Sequence, residues 1–198
     1  DRSPSRGLGD VYKRQEEENP TVAWKKHTDT LDNKANLLNE KRFKQLKYSA
    51  PGTDLTIDLP EGHLWAGASS VNKAGTTFVA NMPTEEVFTV PSRTGVNGTV
   101  KNTMPLSYGG NIIDDFTLTF VDGKVTDYQA GVGEEVLKSL LETDEGAMRL
   151  GEVALVPDDS PISNTKTLFY NTLFDENASC HLAPVSYTHL TLPTTPYV

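Results

Sequence analysis

The run IIDDFTLTFVDGKVTDYQ, residues Ile112–Gln129, decides the fold. Two strand-forming segments, Ile112–Phe120 and Lys124–Gln129, flank Asp122-Gly123, a dipeptide that suits a two-residue hairpin turn because both positions tolerate positive φ. Upstream, Pro51-Gly52 marks a turn. Leu55, Ile57 and Leu59 then alternate with Thr56 and Asp58, the pattern of a strand with one buried face. Further short strands are expected at Gln45–Tyr48, His63–Ala66, Thr77–Ala80 and Val87–Val90, with a second hairpin at Val96–Val100 around Asn97-Gly98.

A helix precedes these strands. Glu16-Glu17-Glu18-Asn19-Pro20 reads as its start, since acidic side chains suit the positive end of the helix dipole and proline is tolerated in the first turn. Trp24, Leu31, Ala35 and Leu38 recur at sevens and fours as one apolar stripe, fading near Lys41 or Phe43. Beyond the central hairpin, a helix is expected from Gly133 to Leu141, burying Val136, Leu137, Leu140 and Leu141. A shorter helix at Asp144–Leu150, an apolar strand at Glu152–Val156 and a loop at Asp158-Asp159-Ser160-Pro161 follow. Thr167–Leu173 stays open between strand and helix, and helices are expected around the last motif. One helix, many strands, then helices is an α+β order: a mixed, strand-rich core with flanking helices.

The chain has 198 residues, with 18 Lys and Arg against 27 Asp and Glu, a net charge of -9. That length allows one sizeable domain or one and a half small ones. The acidic balance argues against nucleic acid, which is bound through clustered Lys and Arg. No apolar run reaches the length of a membrane span, so no membrane partner is expected. The one cysteine, Cys180, excludes an internal disulfide and points to a reducing, cytoplasmic setting. No secretory signal pattern is visible.

The two ends stand apart from the middle. Residues 1–15 and 184–198 carry no period that continues into their neighbours, and both resemble translated sequencing adapters. They are expected to be artefact tails around a partial domain at 16–183, whose net charge is then -11. Tyr187 and His189 are accordingly set aside as metal ligands.

Three motifs carry the chemistry. They are Asn81–Thr89 (NMPTEEVFT), Leu150–Pro157 (LGEVALVP) and Phe174–Ala183 (FDENASCHLA). Each sets a carboxylate or an imidazole in an apolar segment, where a charged group needs a partner, and a divalent cation is a good one. In an extended segment adjacent side chains point to opposite faces, so only one of Glu85 and Glu86 meets a given site. The residues alone leave that choice open. Glu152 follows Gly151, which permits a tight turn or a close backbone approach. His181 has small or apolar neighbours, with Asp175, Glu176 or Asn177 available to fix its tautomer. Without a second cysteine there is no zinc–thiolate pair, and Cys180 reads as a small buried filler. Glutamate and histidine ligands permit zinc, cobalt, manganese or magnesium.

Together the motifs resemble the M29 family of metal-dependent aminopeptidases. Pro51–Thr56, Pro105–Tyr108, Gly110–Ile113 and Pro161–Ser163 also look like family segments, so the likeness runs from about Glu16 to Ala183. The resemblance implies a partial aminopeptidase fold and a cocatalytic pair of divalent metal ions. It places ligands on Glu86, Glu152 and His181. It also implies hydrolysis of N-terminal residues from peptides with a free N-terminus, by a homodimer. The family pattern continues with a tyrosine ligand and a His-x-Asp pair that have no counterpart here, and an N-terminal lobe is also absent. The chain is therefore expected to be an inactive fragment. The rival readings are a non-catalytic β-rich binding or assembly module, and another metallohydrolase such as a dipeptidase.

Overall fold

The structure is a computed structural model and describes residues 17–185. The expectations for residues 1–16 and 186–198 lie outside the described residues. Helix α1, Pro20–Lys41, starts where Asn19 accepts a hydrogen bond from the Val22 amide at 3.2 Å, with proline at its first position. Glu17 and Glu18 precede the helix, so asparagine rather than the acidic run supplies the cap. Arg42, at φ 48°, ends it. Leu31 and Ala35 of the stripe are buried.

The strands are β1 Gln45–Ala50, β2 Thr53–Asp58, β3 Ser69–Val71, β4 Thr77–Val79, β5 Val87–Thr89, β6 Val96–Lys101, β7 Leu106–Tyr108, β8 Asn111–Val121 and β9 Lys124–Val132. Helix α2, Glu134–Leu141, and strand β10, Leu150–Leu155, follow. The short helices α3, Pro161–Asn164, and α4, Thr172–Glu176, lead to β11, His181–Pro184. The α+β expectation holds.

The main sheet runs β1-β2-β6-β8-β7, with β9 on the other side of β8. Its centre is the hairpin read from the sequence: β8 and β9 pair antiparallel through Asp122 and Gly123, both at positive φ. Leu55 and Ile57 are completely buried, and burial of such side chains contributes about 1.5–3 kcal/mol each. They pack with Leu31 of α1, Val96, Ile113, Phe120 and Leu137 of α2 in one core.

A second, three-stranded sheet has the order β11-β10-β5 and carries the motif residues. β3 and β4 form a separate two-stranded ribbon. Among the described residues no helix is long and apolar enough to cross a membrane.

Several local expectations are corrected. Asn97-Gly98 does not turn a hairpin, because β6 bonds to β2 on one side and to β8 on the other. Gly98, at φ 113°, lies against the Asp54 carbonyl, 2.1 Å from where a Cβ would sit. His63–Ala66 is not a strand. The Asn39 side chain takes both the Trp65 amide, at 2.7 Å, and its carbonyl, at 2.9 Å, which a neighbouring strand would otherwise use. Only Ala66 makes a bridge, to Phe88.

Asp144–Arg149 forms turns rather than a helix, because the Asp144 carboxylate captures the amides of Gly146 and Ala147. The last motif is not wholly helical either, since His181 opens a strand.

Replacing Gly98 by alanine should lower stability by about 1–3 kcal/mol through backbone strain, with further loss as Asp54 is displaced. Urea unfolding with an unchanged m-value would show this, and wild-type stability would contradict the close approach.

Candidate metal centre

Register brings two of the motif residues together. In the β10–β11 pair Ala154 faces His181 and Glu152 faces Ala183, so Glu152 and His181 are diagonal neighbours on one face. The register shifts between Leu150 and Glu152, which makes Gly151 the extra residue of a bulge, a feature that re-aims the side chain beyond it. A Cβ on Gly151 would stand 2.9 Å from Val185 Cγ2, so the bulge packs against the end of the neighbouring strand.

The third residue, Glu86, precedes β5 and sits in a buried run with Thr84 and Glu85. One ligand atom from each of Glu86, Glu152 and His181 lies within 4.8 Å of the others. His181 Nε2 is 3.0 Å from Glu86 Oε2 and 3.7 Å from Glu152 Oε1. The Glu86 and His181 side chains are largely buried, while Glu152 is partly open to solvent.

Glu85 points elsewhere. It is 3 % exposed and meets His27 Nε2 of α1 at 3.4 Å, so it is neither a solvent-facing glutamate nor part of the cluster. His27 also bonds to the Thr84 carbonyl at 2.7 Å and stacks on Trp24. The sequence reading missed His27, although it lies three residues past Trp24, close to the buried stripe of α1.

His181 is oriented from behind by the Ser179 carbonyl, 3.1 Å from Nδ1. The expectation that Asp175, Glu176 or Asn177 would do this is corrected. The Asp175 carboxylate instead caps the amides of Phe169 and Asn171. Glu176 stands near enough to feel the cluster. Burial raises its carboxyl pKa, His181 lowers it, and Glu86 and Glu152 raise it further. Cys180 is exposed rather than a buried filler, with Sγ 3.4 Å from both the amide and the carbonyl of Val156.

With Nδ1–H donating to the Ser179 carbonyl, Nε2 is the ring atom that faces the two carboxylates, and it becomes a lone-pair donor for a cation once its proton leaves. Glu86 Oε2 and His181 Nε2 are both buried, and despite their 3.0 Å separation they have no aligned hydrogen-bond partner among the described residues. Buried polar atoms of this kind are costly unless something satisfies them. A divalent cation with oxygen and nitrogen ligands fits this donor set.

Residues 11–187 match the family described as thermophilic metalloprotease (M29). The chain belongs to the M29 family. It is 61% identical to aminopeptidase AmpS of Bacillus subtilis (strain 168) over 170 residues, covering 86% of this chain and 42% of that protein. To aminopeptidase 2 of Geobacillus stearothermophilus it is 56% identical over 170 residues, with 86% and 41% covered.

Among solved structures, wild-type AmpT from Thermus thermophilus aligns with a TM-score of 0.81 at 48% identity, over 83% of this chain and 42% of that one. The chain thus spans about two fifths of the length of the relatives it matches. The M29 resemblance read from the motifs is borne out, and the relatives carry the name aminopeptidase.

In this M29 chain, burial lowers the His181 pKa, but the carboxylates of Glu152 and Glu86 and the Ser179 carbonyl outweigh it and push it up to about 10. The ordinary value is about 6.5. A folded-state pKa raised in this way stabilises the metal-free fold fully below about pH 6.5, and the contribution disappears as pH rises through 10. An NMR titration of the metal-free chain should therefore show His181 still an imidazolium at about pH 8, well above its ordinary midpoint. A midpoint near the ordinary value would contradict the coupling to the two glutamates.

Proposed function

We propose that Glu86, Glu152 and His181 are ligands in the cocatalytic divalent-metal centre of an aminopeptidase that removes N-terminal residues from peptides. The observation that carries this reading is the arrangement at His181: Nδ1 is held by a backbone carbonyl, and the buried Nε2 faces two carboxylates. Histidine ligands of metals are typically oriented by such a bond from the other ring nitrogen.

When bound, the metal pair supplies Lewis acidity, lowering the pKa of a bound water and polarising the scissile carbonyl. The chain's own residues do the rest. Glu86 and Glu152 contribute negative charge to offset that of the cations. Ser179 fixes the ring that presents Nε2. Glu152 is the more solvent-open of the two glutamates. An acidic centre also suits the cationic N-terminus of a peptide.

Oxygen and nitrogen donors without thiolate accommodate zinc, cobalt, manganese or magnesium. Two cations take more donors than three side chains provide. The reading therefore includes further ligands from a protein of its relatives' length, of which residues 16–183 form part.

A protein of that length carrying this sequence should hydrolyse leucine p-nitroanilide, lose activity to a chelator and regain it with zinc or cobalt. Undiminished turnover in excess chelator would sink the metal mechanism. The 198-residue chain is expected to be inactive under the same conditions, and turnover matching the longer protein would refute the need for additional ligands.

A further inference from the structure

Asn177 is 1% exposed and belongs to none of the chemistry above. Its two side-chain atoms nevertheless join the two arms of the site. Oδ1 accepts a hydrogen bond from the Glu85 amide at 2.6 Å. Nδ2 donates to the Leu173 carbonyl at 2.8 Å. The two partners fix the orientation of the amide, because an N–H needs the oxygen and a carbonyl needs the nitrogen.

Glu85 immediately precedes Glu86, and Asn177 precedes His181 by four residues in the segment that leaves α4. The Asn177 amide is anchored in turn by the Phe174 carbonyl at 3.2 Å. One buried side chain thus ties a segment 92 residues away in sequence to the end of α4.

We propose that Asn177 is a positioning residue for the metal centre: its carboxamide sets the Glu86 loop against the His181 arm. Glu86 is reached by a loop rather than a strand, because β5 begins only at Val87. Strand register therefore aligns Glu152 and His181 but does not by itself deliver Glu86. On the α1 side, the Thr84 carbonyl is held by His27. On the α4 side, the Glu85 amide is held by the Asn177 carboxamide, the side chain that links this loop to the end of α4. The proposal rests on the metal-centre reading above.

Asn177→Ala would leave the Glu85 amide and the Leu173 carbonyl without this partner and free the loop to shift. The test is cobalt(II) titration of a protein of its relatives' length carrying this sequence, followed by visible absorption and with folding checked by circular dichroism. Asn177→Ala should weaken cobalt binding by roughly tenfold to a hundredfold, the usual effect of removing support behind a ligand, and alter the spectrum.

Leu137→Ala, a core truncation in α2, should lower the melting temperature while leaving cobalt affinity unchanged. That control separates positioning from general destabilisation. Asn177→Ser is a milder defect that keeps the test available if alanine prevents folding, and it too should bind cobalt several-fold more weakly. Wild-type affinity and spectrum in a folded Asn177 variant would overturn the proposal alone. A wild-type protein of that length that binds no cobalt would overturn the metal-centre reading and this proposal with it.

Discussion

Two carboxylates held around one imidazole set the terms for the rest of this molecule. Glu86 and Glu152 bring oxygens within 4.8 Å of each other and of His181. At an effective dielectric near 20, two like charges at that spacing repel by about 3–4 kcal/mol. Positive charge must offset this. In the metal-free chain it comes from His181, whose proton is held by the two glutamates well beyond its ordinary range. A divalent cation in place of that proton would bring more positive charge to the same two carboxylates.

The two sheets divide the work. The larger sheet and its helices bury the apolar core, with Leu55, Ile57 and Phe120 at its centre. The smaller sheet is the platform of the site. Its middle strand β10 pairs with β5 and β11, so residues far apart in sequence share one small region. The bulge at Gly151, the Ser179 carbonyl and the Asn177 amide adjust the approach of each side chain. The first two are local backbone arrangements and the third is a neutral side chain, so none adds a charged group.

Much of this was legible in the sequence where a short-range rule decides the outcome. The Asp122-Gly123 turn, the alternation of Leu55 and Ile57, and the Trp24–Leu38 stripe each follow from local geometry. The M29 resemblance, rather than the residues alone, picks Glu86 over Glu85 and adds Glu152 and His181, and the structure brings the three together. What was not legible depends on partners distant in the chain. Asn97-Gly98 stays in a strand because strands on both sides hold it. His63–Ala66 is not a strand because Asn39 of α1 reaches its backbone first. The burial of Glu85 against His27, and the bridge made by Asn177, have no signature within their own neighbourhoods.

The central claim is that three side chains from three segments share one cation-binding region. The most direct measurement is anomalous scattering at the zinc edge from crystals of this chain grown or soaked with zinc. The account predicts a strong peak bounded by Glu86 Oε2, Glu152 Oε1 and His181 Nε2, with Nδ1 still on the Ser179 carbonyl. A principal zinc peak elsewhere, with His181 still paired to the two glutamates, would contradict it.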